Sequence, residues 1–252
     1  MKKIVTPISS LLLNKNAKNI IENSTDYFEL RHFDIKELNK KKILFYHCDL
    51  QLNHRFEEDD INDLNKILSL YPYIKHFSFH LASIYKNPKI NKRNIFTKGN
   101  KKISRSKMLK NVYNNVKLLK TNFPKIHISV ENNNYYNTGA YKYVCDPNFI
   151  SEVVLDSNIL FLFDLSHAQI SSRNLNIKFD EYINLLPLKK VEQIHISRPS
   201  IKHKMYLDSH YLPNLNKFTK DIISFINPKF LTVEYYKNYN RLNQINNSLR
   251  EL

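Results

Sequence analysis

Eight short apolar runs, rich in β-branched and aromatic residues, recur along this chain. They are Ile4–Ile8, Tyr27–Leu30, Ile43–Tyr46, His76–Leu81, Ile126–Val130, Ile159–Phe163, Val191–Ile196 and Phe230–Val233. Between them the apolar residues move to helical spacing. Leu11 to Ile21 is one such stretch, and Ile61, Leu64, Ile67 and Leu68 mark another. Others run from Met108 to Leu119, Pro147 to Leu155, Phe179 to Leu186, Phe218 to Ile226 and Leu242 to Leu249. Strands alternating with helices build a parallel sheet, and eight such units close into a barrel. The 252 residues, 42% of them hydrophobic, suit one such barrel with a full core. The expected fold is α/β, a single (β/α)8 TIM barrel, with residues 1–252 as one domain. After the second strand only a short, weak helix is expected, over Ile35–Leu38. The polar, basic stretch Lys86–Lys102 is the longest irregular insert and a candidate lid.

The chemistry-bearing residues fall where such a barrel would use them. His47, His80, Glu131, Asp164, His167, His195, Asp208, His210 and Glu234 each sit at or just past the end of a strand. Barrel active sites lie at that end. Burying so many ionisable groups together is costly unless they are paired or bind metal. Asp164 and His167 form Asp-x-x-His. Asp208 and His210 form Asp-x-His on the loop after the seventh strand. Both are chelating spacings. Glu131 follows an apolar strand and has two oxygens with which to bridge cations. Imidazoles with carboxylates suit iron, zinc or manganese better than calcium or magnesium. The nine residues are enough for two or three ions, and Glu131, Asp164 and His210 are the candidates for catalytic roles.

Other residues are assigned by position. Glu29, near the rim on strand two, is placed to hydrogen-bond a ligand histidine from behind. Asn133, Arg198 and His203 are candidates to touch substrate. His32 and His54 are left without a role. His76 and His127 start their strands, at the opposite rim, and are excluded from the centre.

Bulk properties narrow the partner. The net charge is +16, and clustered Lys and Arg bind phosphate. The lysines, however, are spread along a chain that has only 2 Gly and no Trp, a composition expected from an AT-rich coding sequence. An acidic peptide fits that charge as well as DNA does. Two cysteines, Cys48 and Cys145, provide neither a disulfide framework nor a cysteine zinc motif, and are read as buried apolar residues. No apolar run approaches the roughly 20 residues that span a bilayer. The basic, then apolar start reads as a first strand, so a cytoplasmic protein with no membrane partner is expected.

The strand-end set resembles the xylose-isomerase-like superfamily of metal-dependent barrels. Within it, the chain is most similar to the multinuclear non-heme iron-dependent oxidases. The resemblance runs from Tyr27-Phe28-Glu29 to Glu234 and is densest between Glu131 and His210. Glu131-Asn132-Asn133 resembles that family's Glu-Asn strand end, and Asp146-Pro147-Asn148-Phe149-Ile150 its next helix start. Leu162-Phe163-Asp164, Ser171-Ser172-Arg173-Asn174, Leu186-Pro187-Leu188 and Gln193-Ile194-His195 follow its sixth-to-seventh strand pattern, and Asp208-Ser209-His210 resembles its Asp-Thr-His. The resemblance implies two or three irons and dioxygen acting on a ribosomally made precursor peptide, often at cysteine, with a partner protein presenting the peptide in some cases. There are departures. Asp164-Leu165-Ser166-His167 stands where the family commonly has Asp-x-Asn-Asn. Ile196-Ser197-Arg198 follows His195 where it commonly has Ala-Gly-His. The nine residues also match, in type and order, the trizinc set of the endonuclease-four-like apurinic endonucleases, so a zinc phosphodiesterase acting on DNA is the alternative. A sugar isomerase or epimerase, which needs one divalent ion, is the third reading.

Overall fold

The computed structural model describes residues 2–31, 35, 38–203 and 205–252. In chain order the elements are β1 (Lys3–Pro7), α1 (Lys15–Ser24), β2 (Tyr27–Leu30), β3 (Ile43–Gln51), α2 (Glu58–Leu70) and β4 (His76–His80). There follow β5 (Lys89–Ile90), β6 (Phe96–Thr97), α3 (Arg105–Asn122), β7 (His127–Glu131), α4 (Pro147–Asp156), β8 (Leu160–Asp164) and α5 (Leu165–Asn174). The remainder are α6 (Phe179–Asn184), β9 (Val191–Ile196), β10 (Arg198–Lys202), β11 (Met205–Tyr211), α7 (Lys217–Ile226), β12 (Phe230–Val233) and α8 (Tyr239–Arg250).

Eight strands close into a barrel in the order β1-β12-β9-β8-β7-β4-β3-β2. Every pairing in it is parallel. This is the (β/α)8 barrel expected from the alternating runs. The ring closes where Lys3, Ile4 and Val5 pair with Phe230, Leu231 and Thr232. Val5, Phe45 and Phe230 fill its lower end, where His76 stacks on Phe45 and on His127 with ring centroids 4.5 and 4.9 Å apart. His76 and His127 begin β4 and β7, at the end away from the strand-end carboxylates.

Helices cover the outside by burying one stripe each. In α3 the stripe is Met108, Val112, Val116 and Leu119. The same helix buries Asn111 and Asn115. Asn115 Nδ2 donates to Leu52 O at 2.9 Å, and Asn111 Nδ2 to Asn53 O at 3.1 Å. These bonds fix the chain just beyond β3. With 2 Gly in the sequence, asparagine takes several left-handed positions. Asn158, Asn176 and Asn227 all have positive φ, and Asn227 terminates α7. Asn tolerates that conformation better than other side chains that carry a Cβ.

The structure departs from the sequence reading in four places. The stretch Leu11–Ile21 is split: Ser10–Leu13 forms a 3-10 turn, and Asn14, in extended geometry, caps α1 by accepting from Ala17 N–H at 3.0 Å. A helix not anticipated, α5, follows β8 directly. The loop expected to carry Asp208 and His210 is a strand, β11, paired antiparallel with β10 in a hairpin outside the barrel. The insert 86–102 carries the two-stranded β5–β6 sheet, and Lys86, Lys101 and Lys102 line a basic cavity of about 510 Å³ shared with His54 and Arg55. The short helix over 35–38 and His32 fall largely or wholly outside the described residues.

Candidate metal centre

The nine strand-end residues converge. Seven come from the upper ends of β3, β4, β7, β8, β9 and β12 and the first turn of α5, and two from β11. His47, His80, Glu131, His167, Asp208, His210 and Glu234 line one cavity of about 430 Å³, together with Arg31, Asp49 and Tyr236. Asp164 and His195 lie fully buried. Their ligand atoms are within 4.8 Å of one another and of a Glu131 oxygen.

Glu131 is the centre of the arrangement. Its Oε2 lies 3.1 Å from His80 Nδ1 and 3.6 Å from His47 Nε2. Its Oε1 lies 3.3 Å from His195 Nδ1. On the other side, Asp208 Oδ2 is 3.3 Å from both His167 Nε2 and His210 Nε2. Glu234 joins the two halves, with Oε1 3.2 Å from His195 Nδ1 and Oε2 3.1 Å from His210 Nε2.

Local structure explains the aim of these side chains. Asp164 is the N-cap of α5, and its Oδ1 accepts from His167 N–H at 2.6 Å. The Asp-x-x-His spacing is therefore an N-cap and the third helical residue. Asn132 clamps β7 to β8: its Nδ2 donates to Asp164 O at 2.9 Å and its Oδ1 accepts from Asp164 N–H at 2.8 Å. The Asn132 carbonyl accepts from His167 Nδ1 at 2.8 Å, which leaves Nε2 for the cavity. His195 is set from behind, because its Nε2 donates to Glu29 Oε2 at 2.9 Å. Gln193 Nε2 holds the same Glu29 oxygen at 2.8 Å and Thr232 Oγ1 at 2.8 Å. His210 has φ 43°, a left-handed backbone for a residue with a Cβ, of the kind that clusters at functional sites.

The charges show what the site requires. Burial opposes ionisation of Glu29, but His195 and Arg31 outweigh it and hold that carboxyl down to about 2. Asp164 goes the other way. Burial, reinforced by Glu234, Glu131 and Asp208 against the pull of His167, pushes it up to about 7. Burial opposes protonation of His210, yet Glu234 and Asp208 raise it to about 9. Burial and Arg31 keep His47 well below the usual histidine range, so it is neutral. Its Nδ1, bonded to Ser78 Oγ at 2.7 Å, leaves a lone pair on Nε2 facing a carboxylate when it is the donor. Asp164 Oδ2 and Asp208 Oδ1 are buried without a hydrogen-bond partner. Buried polar atoms are seldom left so. Clustered carboxylates, a neutral imidazole facing one of them and two orphaned oxygens fit a site for divalent cations.

The candidates for substrate contact lie elsewhere. Asn133 is turned to Leu81 O at 3.3 Å. Arg198 is exposed, its guanidinium over the Tyr211 ring at 5.7 Å. His203 is exposed at the hairpin tip with φ 50°. None of the three lines the cavity. Arg31 does, and the sequence reading passed over it. Its Nε and Nη2 donate to Glu29 Oε1 at 2.9 and 2.8 Å, and Nη2 also donates to Glu234 Oε1. Arg31 is two residues on from Glu29 and one past the end of β2, so two-residue alternation carried beyond the strand end points to it.

A closed parallel barrel with imidazoles and carboxylates gathered at its C-terminal rim defines an α/β TIM barrel with residue groups able to hold metal. Solved structures agree on the fold. A D-psicose 3-epimerase crystallised in the presence of D-fructose is 12% identical, with TM-score 0.61 over 99% of this chain and 97% of that one. A D-tagatose 3-epimerase-like protein is 15% identical, with TM-score 0.59 over 99% and 96%. Residues 54–251 match the family described as RiPP precursor modification enzyme MbnB/TglH/ChrH, and the chain belongs to that family of enzymes acting on ribosomally made precursor peptides. A UPF0276 protein of Vibrio parahaemolyticus is 26% identical over 90 residues, a match covering 34% of this chain and 31% of that relative's own length. Among the described residues no helix is long and apolar enough to cross a membrane.

Proposed function

We propose that this chain is a multinuclear iron-dependent oxidase that uses dioxygen to modify a precursor peptide at cysteine. The observation that carries the reading is Glu131, a buried carboxylate with one oxygen facing His47 and His80 and the other facing His195. One carboxylate shared in this way suits neighbouring cations. His47, His80 and Glu131 would hold one, Glu131, Asp164, His195 and Glu234 a second, and His167, Asp208 and His210 a third. Ferrous iron held by these residues would supply redox-active Lewis-acid chemistry toward dioxygen and a substrate sulfur.

The chain's own part is to hold and orient. Glu29, Asn132 and Ser78 fix the ring nitrogens that back His195, His167 and His47. Such partners behind the ligands set ring orientation and basicity. The thiol to be oxidised belongs to the peptide. Burial raises Cys48 to about 11 and Cys145 further still, and a protonated, buried thiol is inert. The net charge of +16 favours an acidic precursor, whether it arrives alone or on a partner protein.

Elemental mass spectrometry of protein purified without oxygen tests this. Two or three irons per chain, and a peptide mass change that requires dioxygen, are the expected results. Three zincs without iron would overturn the oxidase reading and favour a phosphodiesterase, to be assayed on abasic DNA.

A further inference from the structure

We propose that Arg31 is itself the third cation of this centre, so that the chain holds two divalent metal ions and not three. The inference rests on the multinuclear reading above and narrows it: of the three groups named there, the middle one, with His195 and Glu234, would face Arg31 in place of an ion. Arg31 follows β2, two residues after Glu29, and its side chain is 17% exposed at the cavity wall. The guanidinium is permanently charged. It binds Glu29 Oε1 through two nitrogens, contacts Glu234 Oε1, and places Nη2 3.5 Å from His195 Nδ1.

Two of those atoms belong to the middle ligand group. Glu234 Oε1 and His195 Nδ1 lie 3.2 Å apart beside Glu131. A divalent ion coordinated there, about 2 Å from each ligand, would meet the guanidinium at close range. Two like charges in a buried, low-dielectric site repel strongly. The outer groups are untouched. His47, His80 and Glu131 form one, and His167, Asp208 and His210 the other, with Asp164 Oδ2 4.0 Å from His167 Nε2.

The charge count agrees. Glu29, Glu131, Asp164, Asp208 and Glu234 are the five carboxylates withdrawn from solvent at the cavity; Asp49, which also lines it, is exposed and screened by water and is left out of the count. Liganding imidazoles are neutral. Five carboxylates less one guanidinium leave four negative charges, which two divalent cations balance. Three ions beside Arg31 would leave two positive charges uncompensated in a buried site.

The test is a count of metal, independent of turnover. The metal-free wild-type chain and the variants Arg31→Ala and Arg31→Lys are loaded anaerobically with ferrous iron alone, desalted and assayed by elemental mass spectrometry. The expected result is two irons per chain in the wild type and Arg31→Lys, and three in Arg31→Ala. Three in the wild type would overturn the assignment of Arg31 and leave the multinuclear centre standing. Two in a folded Arg31→Ala would also overturn it. No iron in the wild type would overturn the metal-centre reading, and the role of Arg31 with it. Circular dichroism establishes that each variant is folded. Should Arg31→Ala not fold, the wild-type and Arg31→Lys counts decide: two in both supports the assignment, and three in either overturns it.

Discussion

His195 Nε2 lies 2.9 Å from Glu29 Oε2, and both side chains are fully buried. The bond spans β9 and β2 and leaves His195 Nδ1 pointing at Glu131 and Glu234. Glu29 thus bears on the centre through His195 and Arg31, and its carboxylate also lies within 4.8 Å of ligand atoms of His47 and His195. Replacing Glu29 with Ala should weaken metal affinity by about 10–100-fold, read by anaerobic metal titration. Glu29→Gln keeps an acceptor for the ring N–H and should fall between wild type and Ala. Equal losses in both variants would mean that the charge of Glu29, not its hold on His195, is what matters.

Glu131→Ala removes the carboxylate that lies within 4 Å of four of the imidazoles, His47, His80, His167 and His195. Metal loading and activity should both be abolished, as they should for Asp164→Ala and His210→Ala. Full metal content in Glu131→Ala would end the bridging role.

Asp164→Asn separates stability from function. Asn caps a helix as well as Asp does, so α5 should persist. The change removes a buried charge that sits among Glu131, Glu234 and Asp208. The metal-free protein should become more stable by on the order of 1 kcal/mol, or about 2–4 °C in Tm, while its metal content drops. A lower Tm in the metal-free variant would refute this.

At the opposite rim, burial, with His127 and Lys229 beside it, pushes His76 down to about 3. An unfolded histidine titrates near 6.5, so between those values the unfolded chain binds the extra proton. The contribution of His76 is present in full above about pH 6.5 and is lost as pH falls toward 3. His76→Phe keeps a ring on Phe45 and removes the titration. Its stability, from denaturant unfolding between about pH 4 and 8, should fall less steeply on the acid side than that of the wild type.

Metal removal should act unevenly. Asp208 and His210 sit on β11, outside the barrel, and reach the other ligands through His167 and Glu234. Stripping the metal should speed amide exchange in the hairpin 198–211 far more than in the barrel strands. Uniform protection with and without metal would show that the hairpin is held by other contacts.

The barrel was legible because parallel strands buried on both faces read as continuous apolar runs. The site was legible because strand ends convert sequence order into spatial convergence. What escaped detection has physical causes. The polar face of α5 carries Ser166, Ser171 and Ser172, all buried, so its apolar period is faint; Asp164 as N-cap was the usable sign. The hairpin is short, contains Pro199 and lies off the barrel, where no core imposes alternation. Arg31 was overlooked because a charged residue after a short strand reads as solvated, whereas here it is half-buried against two carboxylates.

The order of the ligands along the chain has a consequence for biogenesis. His47 comes first and Glu234 last, and β12, which ends beside Glu234, is the strand that closes the ring against β1. A nascent chain therefore lacks the residue that joins the two halves of the site until the last barrel strand has been made. Under the proposed function, the two halves could be metallated together only after ring closure, whereas the group His47, His80 and Glu131 is complete once β7 has been made.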